Sequence, residues 1–214
     1  MNNSIENEVE EKHFRVAIFG SARIKSDDSR YIEVYNLAKK MGENNFDIVT
    51  GGGPGLMEAA NKGHRDGNKN NNSHSIGLTI ELPFEAKANN HLDLTQHFGK
   101  FSDRLDHFMV LSNVAVIMPG GIGTCLEFFY TWQLMQVKHI CSMPIILVGE
   151  MWAELIEWVK KWPLKNDLIS QSDLANVNNV KDYEEACGII MKANDIYRKE
   201  GDNYCLNYKK YKLN

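Results

Sequence analysis

Residues 114–129 read VAVIMPGGIGTCLEFF, and this stretch decides the fold class. The apolar run at residues 114–118 is typical of a buried strand. Pro119 and three glycines in four positions end that strand, and an apolar helical pattern follows from about Thr124 to residue 138. A buried strand that ends in glycine and leads into a helix is the repeating unit of a parallel sheet.

The same alternation runs along the whole chain. Predicted strands cover residues 15–20, 46–50, 75–80, 114–118, 144–149 and, more briefly, 175–177. Predicted helices cover residues 31–44, 56–67, 101–112, 124–138, 151–162 and 183–199. Continuous apolar strands between helices predict a doubly wound, Rossmann-like α/β fold in one domain, with a parallel sheet covered on both faces. Residues 81–99 are expected to form a long irregular loop, of a length that often has a binding role.

Length and composition limit the number of domains and the kinds of partner that the chain can have. The 214 residues suit one α/β domain, predicted at residues 14–199, between a disordered N-terminal tail at 1–13 and a C-terminal tail at 200–214. A net charge of −4 argues against a nucleic-acid partner, which would favour a basic surface. No apolar run is long enough to span a membrane, and the polar N-terminus resembles no targeting signal, so we expect a cytoplasmic protein.

Cysteine and histidine spacing gives no sign of a disulfide framework or a metal site. The four cysteines lack CxxC spacing and stand at Cys125, Cys141, Cys187 and Cys205. We expect reduced thiols. His91, Asp93 and His97 are close enough in sequence to hold a metal, but nothing else in the chain has ligand spacing. A solvated loop is favoured there, and no metal is predicted.

Two glycine-rich turns predict a phosphate pocket. TGGGPGLME follows the second strand and PGGIGTCLE the fourth, and each opens a helix. Glycine lets a ligand approach the backbone closely, and the first amides of a helix attract anions. The first strand also ends in small residues. The predicted phosphate- and nucleotide-binding residues are Gly20, Ser21, Gly52, Gly53, Gly120, Gly121, Gly123 and Thr124.

The familiar phosphate motifs do not fit these turns. A Walker loop requires GxxxxGK[ST], and no lysine follows the second glycine cluster. The dinucleotide pattern GxGxxG also fails at both clusters. ATP hydrolysis and NAD binding therefore lose support, and no cofactor is predicted.

Glu127 has two interpretations at this level. Thr124 and Glu127 have the spacing of a capping box, in which the glutamate folds back onto the first amides of its helix. The alternative is a carboxylate that acts on the part of a ligand beyond the phosphate. Sequence spacing alone does not separate a cap from a catalyst.

The two glycine motifs together resemble the LONELY GUY family, whose signature is PGGxGTxxE. The resemblance extends over residues 15–149 and includes SIGLTIELPFE. Members are often labelled lysine decarboxylases, but pyridoxal phosphate chemistry needs a Schiff-base lysine, and none is placed in the predicted pocket. The resemblance implies a phosphoribohydrolase, which cleaves the N-glycosidic bond of AMP-like or cytokinin nucleoside 5′-monophosphates to free base and ribose 5-phosphate.

The resemblance also implies the catalytic residues. Glu127 matches the signature glutamate, and Arg104 in FSDRLDHFM matches the family arginine, although Leu105 stands where the family has lysine. Without the resemblance, Arg104 is better explained as a surface arginine paired with Asp103 or Asp106. The family further implies a homodimer or larger assembly. Candidate base or ribose contacts are Glu58, Asn61, Glu81 and Glu85.

Two other functions remain open. The same fold and glycine turns occur in proteins that resemble molybdenum-cofactor carriers, which bind a phosphorylated ligand without cleaving it. The presence of both Arg104 and Glu127 favours the enzyme over the carrier. A partner-binding scaffold is supported only by the aromatic segment FFYTWQLMQ.

Overall fold

A parallel sheet forms the centre of the protein and confirms the predicted doubly wound α/β class. The computed structural model describes residues 13–80, 88–211 and 213. Within them, seven strands pair in the order β4-β3-β2-β1-β5-β6-β7, and every pair is parallel. The strands are β1 Arg15–Phe19, β2 Asp47–Thr50, β3 Ser75–Ile80, β4 Leu94–Phe98, β5 Val114–Ile117, β6 Ile145–Val148 and β7 Val177–Val180.

The strand order reverses between β1 and β5. The chain builds outward from β1 to β4 on one side, and then returns to place β5 against the other edge of β1. β1 and β5 pair in register up to Phe19 and Ile117, so both strands end at the same level. In doubly wound sheets ligands bind at the carboxyl ends of the strands beside such a reversal.

Helices cover both faces of the sheet. They are α1 Ser29–Glu43, α2 Leu56–Gly67, α3 Phe101–Leu111, α4 Ile122–Gln136, α5 Glu150–Val159, α6 Tyr183–Glu200 and the short α7 Asn207–Lys210. The core residues of α1, α2 and α6 pack on one face, and those of α3, α4 and α5 pack on the other. β1 serves both layers, because Val16 and Ile18 face one and Ala17 and Phe19 face the other. None of the described helices has the length and apolarity to cross a bilayer.

The irregular loop predicted at residues 81–99 contains a strand. β4 pairs with β3 along its whole length and forms one edge of the sheet. In its sequence, LTQHF, exposed residues alternate with partly buried ones and only Phe98 is buried, so the strand lacks the apolar run by which the inner strands are recognised. Residues 81–87 of the predicted loop lie outside the described residues.

The expectation that all four cysteines are reduced is wrong. Cys141 and Cys205 form a disulfide across 64 residues of sequence, whereas Cys125 and Cys187 are free thiols. Spacing could not reveal this pair, because the two cysteines meet only when the C-terminal segment folds back against the loop before β6.

The segment after α6 is bonded to the body of the fold. The buried side chain of Asn207 accepts a hydrogen bond from the Cys141 amide (2.7 Å) and donates to the Met109 and Ser112 carbonyls (2.9 and 3.0 Å). The Tyr211 hydroxyl donates to Asp106 of α3 (2.7 Å). The C-terminal segment therefore supports the end and one side of α3. Of the N-terminal tail predicted at residues 1–13, residues 1–12 lie outside the described residues, and His13 is described.

A buried aspartate organises the opposite, amino-terminal edge of the sheet. Asp47 is fully buried and interacts with His13 Nδ1 (3.0 Å), Arg15 Nε (3.2 Å) and the His74 amide (2.9 Å). Burial raises the pKa of Asp47, but these hydrogen bonds and the Arg15 charge hold the pKa below its ordinary value. Potential metal-ligating atoms of His13, Asp47 and His74 lie within 4.8 Å of one another. However, the Arg15 cation already contacts the Asp47 carboxylate in this group.

His91, Asp93 and His97 do not form a comparable group. The Asp93 carboxylate accepts a hydrogen bond from the Ser75 amide (2.8 Å), which joins the segment before β4 to β3. His97 Nδ1 lies 3.2 Å from the Thr79 hydroxyl. These side chains hold the edge of the sheet together.

Replacing Asp47 by asparagine is expected to lower the free energy of unfolding by about 3 kcal/mol at neutral pH, because the buried carboxylate charge that interacts with Arg15 and His13 is removed. Since the folded pKa is depressed, the carboxylate stabilises the protein above its unfolded pKa of about 3.9 and this stability is lost as pH falls through the folded pKa. Urea unfolding from neutral pH to pH 3 should therefore show the gap between wild type and Asp47→Asn narrowing in acid. The exposed Asp27→Asn is the control, and an Asp47→Asn protein of wild-type stability would contradict the account.

Candidate functional site

A cavity of about 490 Å³ opens at the carboxyl ends of β1 and β5, where the strand order reverses. Its volume suits a small-molecule ligand. The residues that line it are Ile18, Phe19, Gly20, Ser21, Ala22, Arg23, Gly51, Met57, Phe101, Arg104, Gly121, Ile122, Gly123, Thr124 and Glu127. The three small-residue turns predicted from the sequence thus contribute to one cavity.

The N-terminus of α4 forms one wall of this cavity. The helix is capped by Gly121, whose lack of a side chain leaves the cap without a side-chain hydrogen bond. The Gly121 carbonyl accepts from the Cys125 amide (3.0 Å), so the amides of Ile122, Gly123 and Thr124 precede the first intrahelical bond. Amides at the positive end of a helix dipole form an anion site.

The capping-box interpretation of Glu127 is wrong. α4 begins at Ile122, two residues earlier than predicted, so Thr124 is inside the helix and the cap is Gly121. The Glu127 carboxylate instead lies beside the guanidinium of Arg104, with Oε1 3.7 Å from Nη2. This places the carboxylate on the cavity wall, one helical turn beyond the first amides.

The three glycines of PGGIGT differ in what they accommodate. A Cβ on Gly120 would overlap the hydroxyl of Thr124 and lie 2.5 Å from its Cβ. A Cβ on Gly121 or Gly123 would meet nothing within 4 Å. Gly120 is thus required for packing behind Thr124, whereas Gly121 and Gly123 leave cavity volume open at the end of the helix.

The turn after β1 joins the two glycine turns. The Ser21 amide donates to the Pro119 carbonyl (3.1 Å), and the Ser21 carbonyl accepts from the Leu56 amide at the start of α2 (3.0 Å). Gly55 packs so closely that an added Cβ would lie 2.5 Å from the Ser21 oxygen. Gly20 and Ser21 are therefore held in the cavity wall by both neighbouring turns.

Five of the predicted contacts do not line the cavity. One of them is Gly120, which packs against Thr124. Gly52 and Gly53 are buried behind it, and their carbonyls accept from the Asn89 side chain (3.0 Å each). Asn61 is fully buried in hydrogen bonds to Thr50, Ser75 and Asn89. Glu58 is partly exposed on the first turn of α2. From the glycine-rich turn after β2, Gly51 lines the cavity wall, where Gly52 and Gly53 were expected. Glu81 and Glu85 lie outside the described residues.

Arg104 reaches the cavity from α3. Its guanidinium carbon lies 5.2 Å from the ring centre of Phe101 and 6.0 Å from that of Phe108, within cation–π range. The side chains of Arg104 and Glu127 are only 11% and 13% exposed. Two aromatic rings and a carboxylate thus hold the arginine at the wall.

The neighbours of Arg104 on α3 face other parts of the structure. The Asp106 carboxylate accepts from the hydroxyls of Tyr130 and Tyr211, and thereby ties α3 to α4 and to the C-terminal segment. Leu105, which stands where the family has lysine, is buried and does not line the cavity. The side chain at position 105 therefore contributes nothing to the wall of this cavity.

Several lining residues were not predicted from the sequence. Arg23 directly follows the small-residue turn of β1, and Phe101 precedes Arg104 by three residues on the same helix. Met57 and Ile122 lie in the first turns of helices next to the glycine turns. Their positions beside the motifs were the available signal, but only the three-dimensional arrangement selects them from other neighbours.

A family model described as "possible lysine decarboxylase" matches residues 57–190, more than half of the chain. The match includes Arg104, Glu127 and the whole PGGIGTCLE motif. The chain belongs to this family. It is the LONELY GUY family that the glycine motifs resemble, so the resemblance is confirmed.

Among curated proteins, the chain resembles the pyrimidine/purine nucleotide 5′-monophosphate nucleosidase of Escherichia coli K12. The two are 28% identical over 129 residues, which cover 58% of this chain. They cover only 28% of the nucleosidase, so the chain matches a minor part of that longer protein.

Among solved structures, the fold resembles molybdenum-cofactor-binding members of the same architecture. The carrier protein of Chlamydomonas reinhardtii has a TM-score of 0.62 at 20% identity, with 86% of this chain and 99% of that chain covered. The molybdenum cofactor binding protein of Rippkaea orientalis has a TM-score of 0.64 at 16% identity, with 86% and 98% covered. At these identities the likeness concerns the fold alone.

The different surroundings of Gly120 and Gly121 predict different effects on stability when each is replaced by alanine. Gly120→Ala is expected to lower the free energy of unfolding by about 1–3 kcal/mol, because the added methyl group collides with Thr124. Gly121→Ala is expected to change stability by less than about 1 kcal/mol, because its methyl group enters open space. Thermal and urea unfolding of both variants is the measurement. Equal losses of stability would show that the two glycines do not have these distinct roles.

Proposed function

We propose that the protein is a nucleoside 5′-monophosphate phosphoribohydrolase. It would hydrolyse the N-glycosidic bond of AMP-like or cytokinin nucleotides to free base and ribose 5-phosphate. The observation that carries this proposal is the Arg104–Glu127 pair, with 3.7 Å between nitrogen and oxygen, on the wall of a cavity. The same cavity contains the N-terminus of α4, whose first amides have no side-chain cap.

The phosphate has a natural place at the end of α4. In this proposal the amides of Ile122, Gly123 and Thr124 and the Thr124 hydroxyl bind the 5′-phosphate. Gly20 and Ser21 form the adjoining wall. The ribose would then lie along the first turn of the helix, within reach of Glu127.

The reaction requires stabilisation of a cationic sugar. As the bond from C1′ to the base nitrogen breaks, its electron pair leaves with the base, and the ribose gains oxocarbenium character. Glu127 would stabilise that positive charge and accept a proton from the water that attacks C1′. The base takes up a proton on departure, so one water is consumed. Arg104 would hold the Glu127 carboxylate in position and contact the ribose or the departing base.

The carrier interpretation explains less of the cavity. A protein that only binds a phosphorylated ligand gains nothing from a carboxylate one helical turn from the phosphate, because the two negative charges repel each other. The nucleosidase name of the Escherichia coli relative also supports hydrolysis. The carrier names come from proteins at 20% identity or less, and they support the fold.

Decarboxylation of lysine has no support from the chemistry of the wall. No lysine stands among the described residues that line the cavity, so the Schiff-base partner that pyridoxal phosphate requires is not in place there. We therefore propose no cofactor for this reaction.

A nucleotide panel tests the proposal. Purified protein is incubated with AMP, GMP, IMP, CMP and isopentenyl-AMP, and free base and ribose 5-phosphate are quantified by chromatography. We expect equimolar release of both products from at least one nucleotide. Glu127→Gln should reduce the rate by about 10²- to 10⁴-fold, because the charge that stabilises the transition state is lost.

The control for that panel is Glu154→Gln, which removes an exposed glutamate of α5 outside the cavity. It should retain wild-type turnover. Saturable AMP binding without base release would favour a carrier. Undiminished release by a folded Glu127→Gln protein would remove Glu127 from the mechanism.

We also propose a homodimer or larger homo-oligomer that uses the outer face of α4. Ile122, Leu126 and Phe129 follow at intervals of four and three residues, on one face of the helix, and are 87%, 44% and 41% exposed. Leu126 and Phe129 border an apolar groove of about 380 Å³ between α4 and the segment around Trp158. A contiguous apolar surface of this kind is typical of an interface, and here it adjoins the cavity through Ile122.

Light scattering coupled to size-exclusion chromatography tests the assembly. We expect wild type to elute with at least twice the mass of one chain, and Leu126→Glu to shift toward the monomer because a charge enters the apolar face. Ile32→Glu, at an exposed isoleucine of α1, should leave the mass unchanged. A monomeric wild-type protein would contradict this interface.

A further inference from the structure

We propose that Arg23 is a substrate-binding residue, whose guanidinium contacts the phosphate and makes the site specific for 5′-phosphorylated substrates. This inference rests on the proposed function and adds to it a residue that lies outside both glycine motifs. Arg23 lines the same cavity as Thr124, Arg104 and Glu127. It is part of the turn that follows β1.

The guanidinium of Arg23 is available to a ligand. Within the described parts of the chain, Arg23 forms its hydrogen bond through the backbone amide, which donates to the Ser21 hydroxyl oxygen (3.1 Å). No ion pair with a described carboxylate involves its side chain, which is exposed at the cavity wall. By contrast, Arg30 on α1 forms a close ion pair with Asp28 (2.6 Å).

The backbone that carries Arg23 is held rigidly. Ser21 is bonded on one side to Pro119 and on the other to Leu56, at 3.1 and 3.0 Å. Gly55 leaves no space behind the turn, because an added Cβ would lie 2.7 Å from the carbonyl carbon of Ala22. A side chain on a fixed backbone loses less conformational freedom when it binds, so preorganisation favours a ligand contact at this point.

The charge balance of the cavity calls for such a cation. Arg104 and Glu127 have opposite charges and lie within 3.7 Å of each other, so they largely offset one another. The α4 amides contribute only partial positive charge, whereas a phosphate monoester carries about −1.5 to −2 at pH 7. Among the described lining residues, Arg23 is the cation that is not paired with a carboxylate of the cavity. Its planar donor fork matches phosphate oxygens.

The functional consequence is discrimination between nucleotides and nucleosides. A ligand with a 5′-phosphate would gain a charge-assisted contact from Arg23, and a nucleoside would gain none. Because the phosphate does not change during cleavage of the glycosidic bond, Arg23 should contribute equally to the ground state and the transition state. Loss of such uniform binding raises KM and leaves kcat nearly unchanged.

The test compares Arg23→Gln and Arg23→Lys with Lys25→Gln, which removes an equal charge from an exposed position two residues away and outside the cavity. Steady-state kinetics on the best nucleotide of the panel should show KM raised about 10- to 100-fold in Arg23→Gln, with kcat within about threefold of wild type. Arg23→Lys should recover part of the affinity, and Lys25→Gln should match wild type. An unchanged KM in a folded Arg23→Gln protein would overturn the proposal.

A second readout separates this inference from the proposed reaction. Calorimetric titration with ribose 5-phosphate measures phosphate binding whether or not the protein cleaves nucleotides. Binding weakened about 10-fold or more in Arg23→Gln would support the role of Arg23 even in a protein that releases no base. Equal binding by wild type and Arg23→Gln, or no binding by either, would overturn it.

Discussion

The parallel pairing of β1 with β5 is the constraint on which the site depends. The two strands run in register to Phe19 and Ile117, so their turns begin side by side. The Ser21–Pro119 hydrogen bond then locks one turn to the other, and the Ser21–Leu56 bond adds the start of α2. These joined turns position the cavity wall, the N-terminus of α4 and the backbone of Arg23. A shift of register between β1 and β5 would separate all three.

The second organising interaction is the contact between α3 and α4. Arg104 and Glu127 face each other across it in a partly dry environment, where a charge interaction is stronger than in water. Asp106, two residues after Arg104, accepts hydrogen bonds from Tyr130 of α4 and Tyr211 of the C-terminal segment. Asn207 adds hydrogen bonds to the end of α3. The Cys141–Cys205 disulfide links the C-terminal segment, which contains Asn207, to the loop before β6. Contacts outside the cavity thus help to hold α3, the helix on which Arg104 lies.

Local pattern predicts the inner part of this architecture well. The inner strands are continuous apolar runs because both of their faces are buried, and that property is visible in the sequence. β4 was not predicted because an edge strand with exposed positions has no continuous apolar run. The disulfide was not predicted because its cysteines meet only when the C-terminal segment folds back against the loop before β6. The start of α4 was misplaced because Gly121, without a side chain, serves as the cap.

The candidate site was predictable in outline and less so in detail. Glycine clusters after two strands indicated an anion pocket at one edge of the sheet, and Thr124 and Ser21 do line a cavity there. Gly52, Gly53 and Asn61 were placed in that pocket because chain proximity does not show which side of a turn faces the ligand. The pairing of Arg104 with Glu127 could not follow from spacing, because the two residues lie on different helices. It came from the family resemblance. Arg23 could be recognised only once its cavity was known.

The central claim is that the 5′-phosphate binds at the N-terminus of α4 and thereby presents the glycosidic bond to Glu127. A crystal structure of the Glu127→Gln variant with AMP tests this most directly. The account predicts phosphate oxygens within hydrogen-bonding distance of the Ile122, Gly123 and Thr124 amides, with the ribose C1′ beside the side chain of residue 127. A nucleotide bound with its phosphate elsewhere, or with C1′ remote from residue 127, would contradict it.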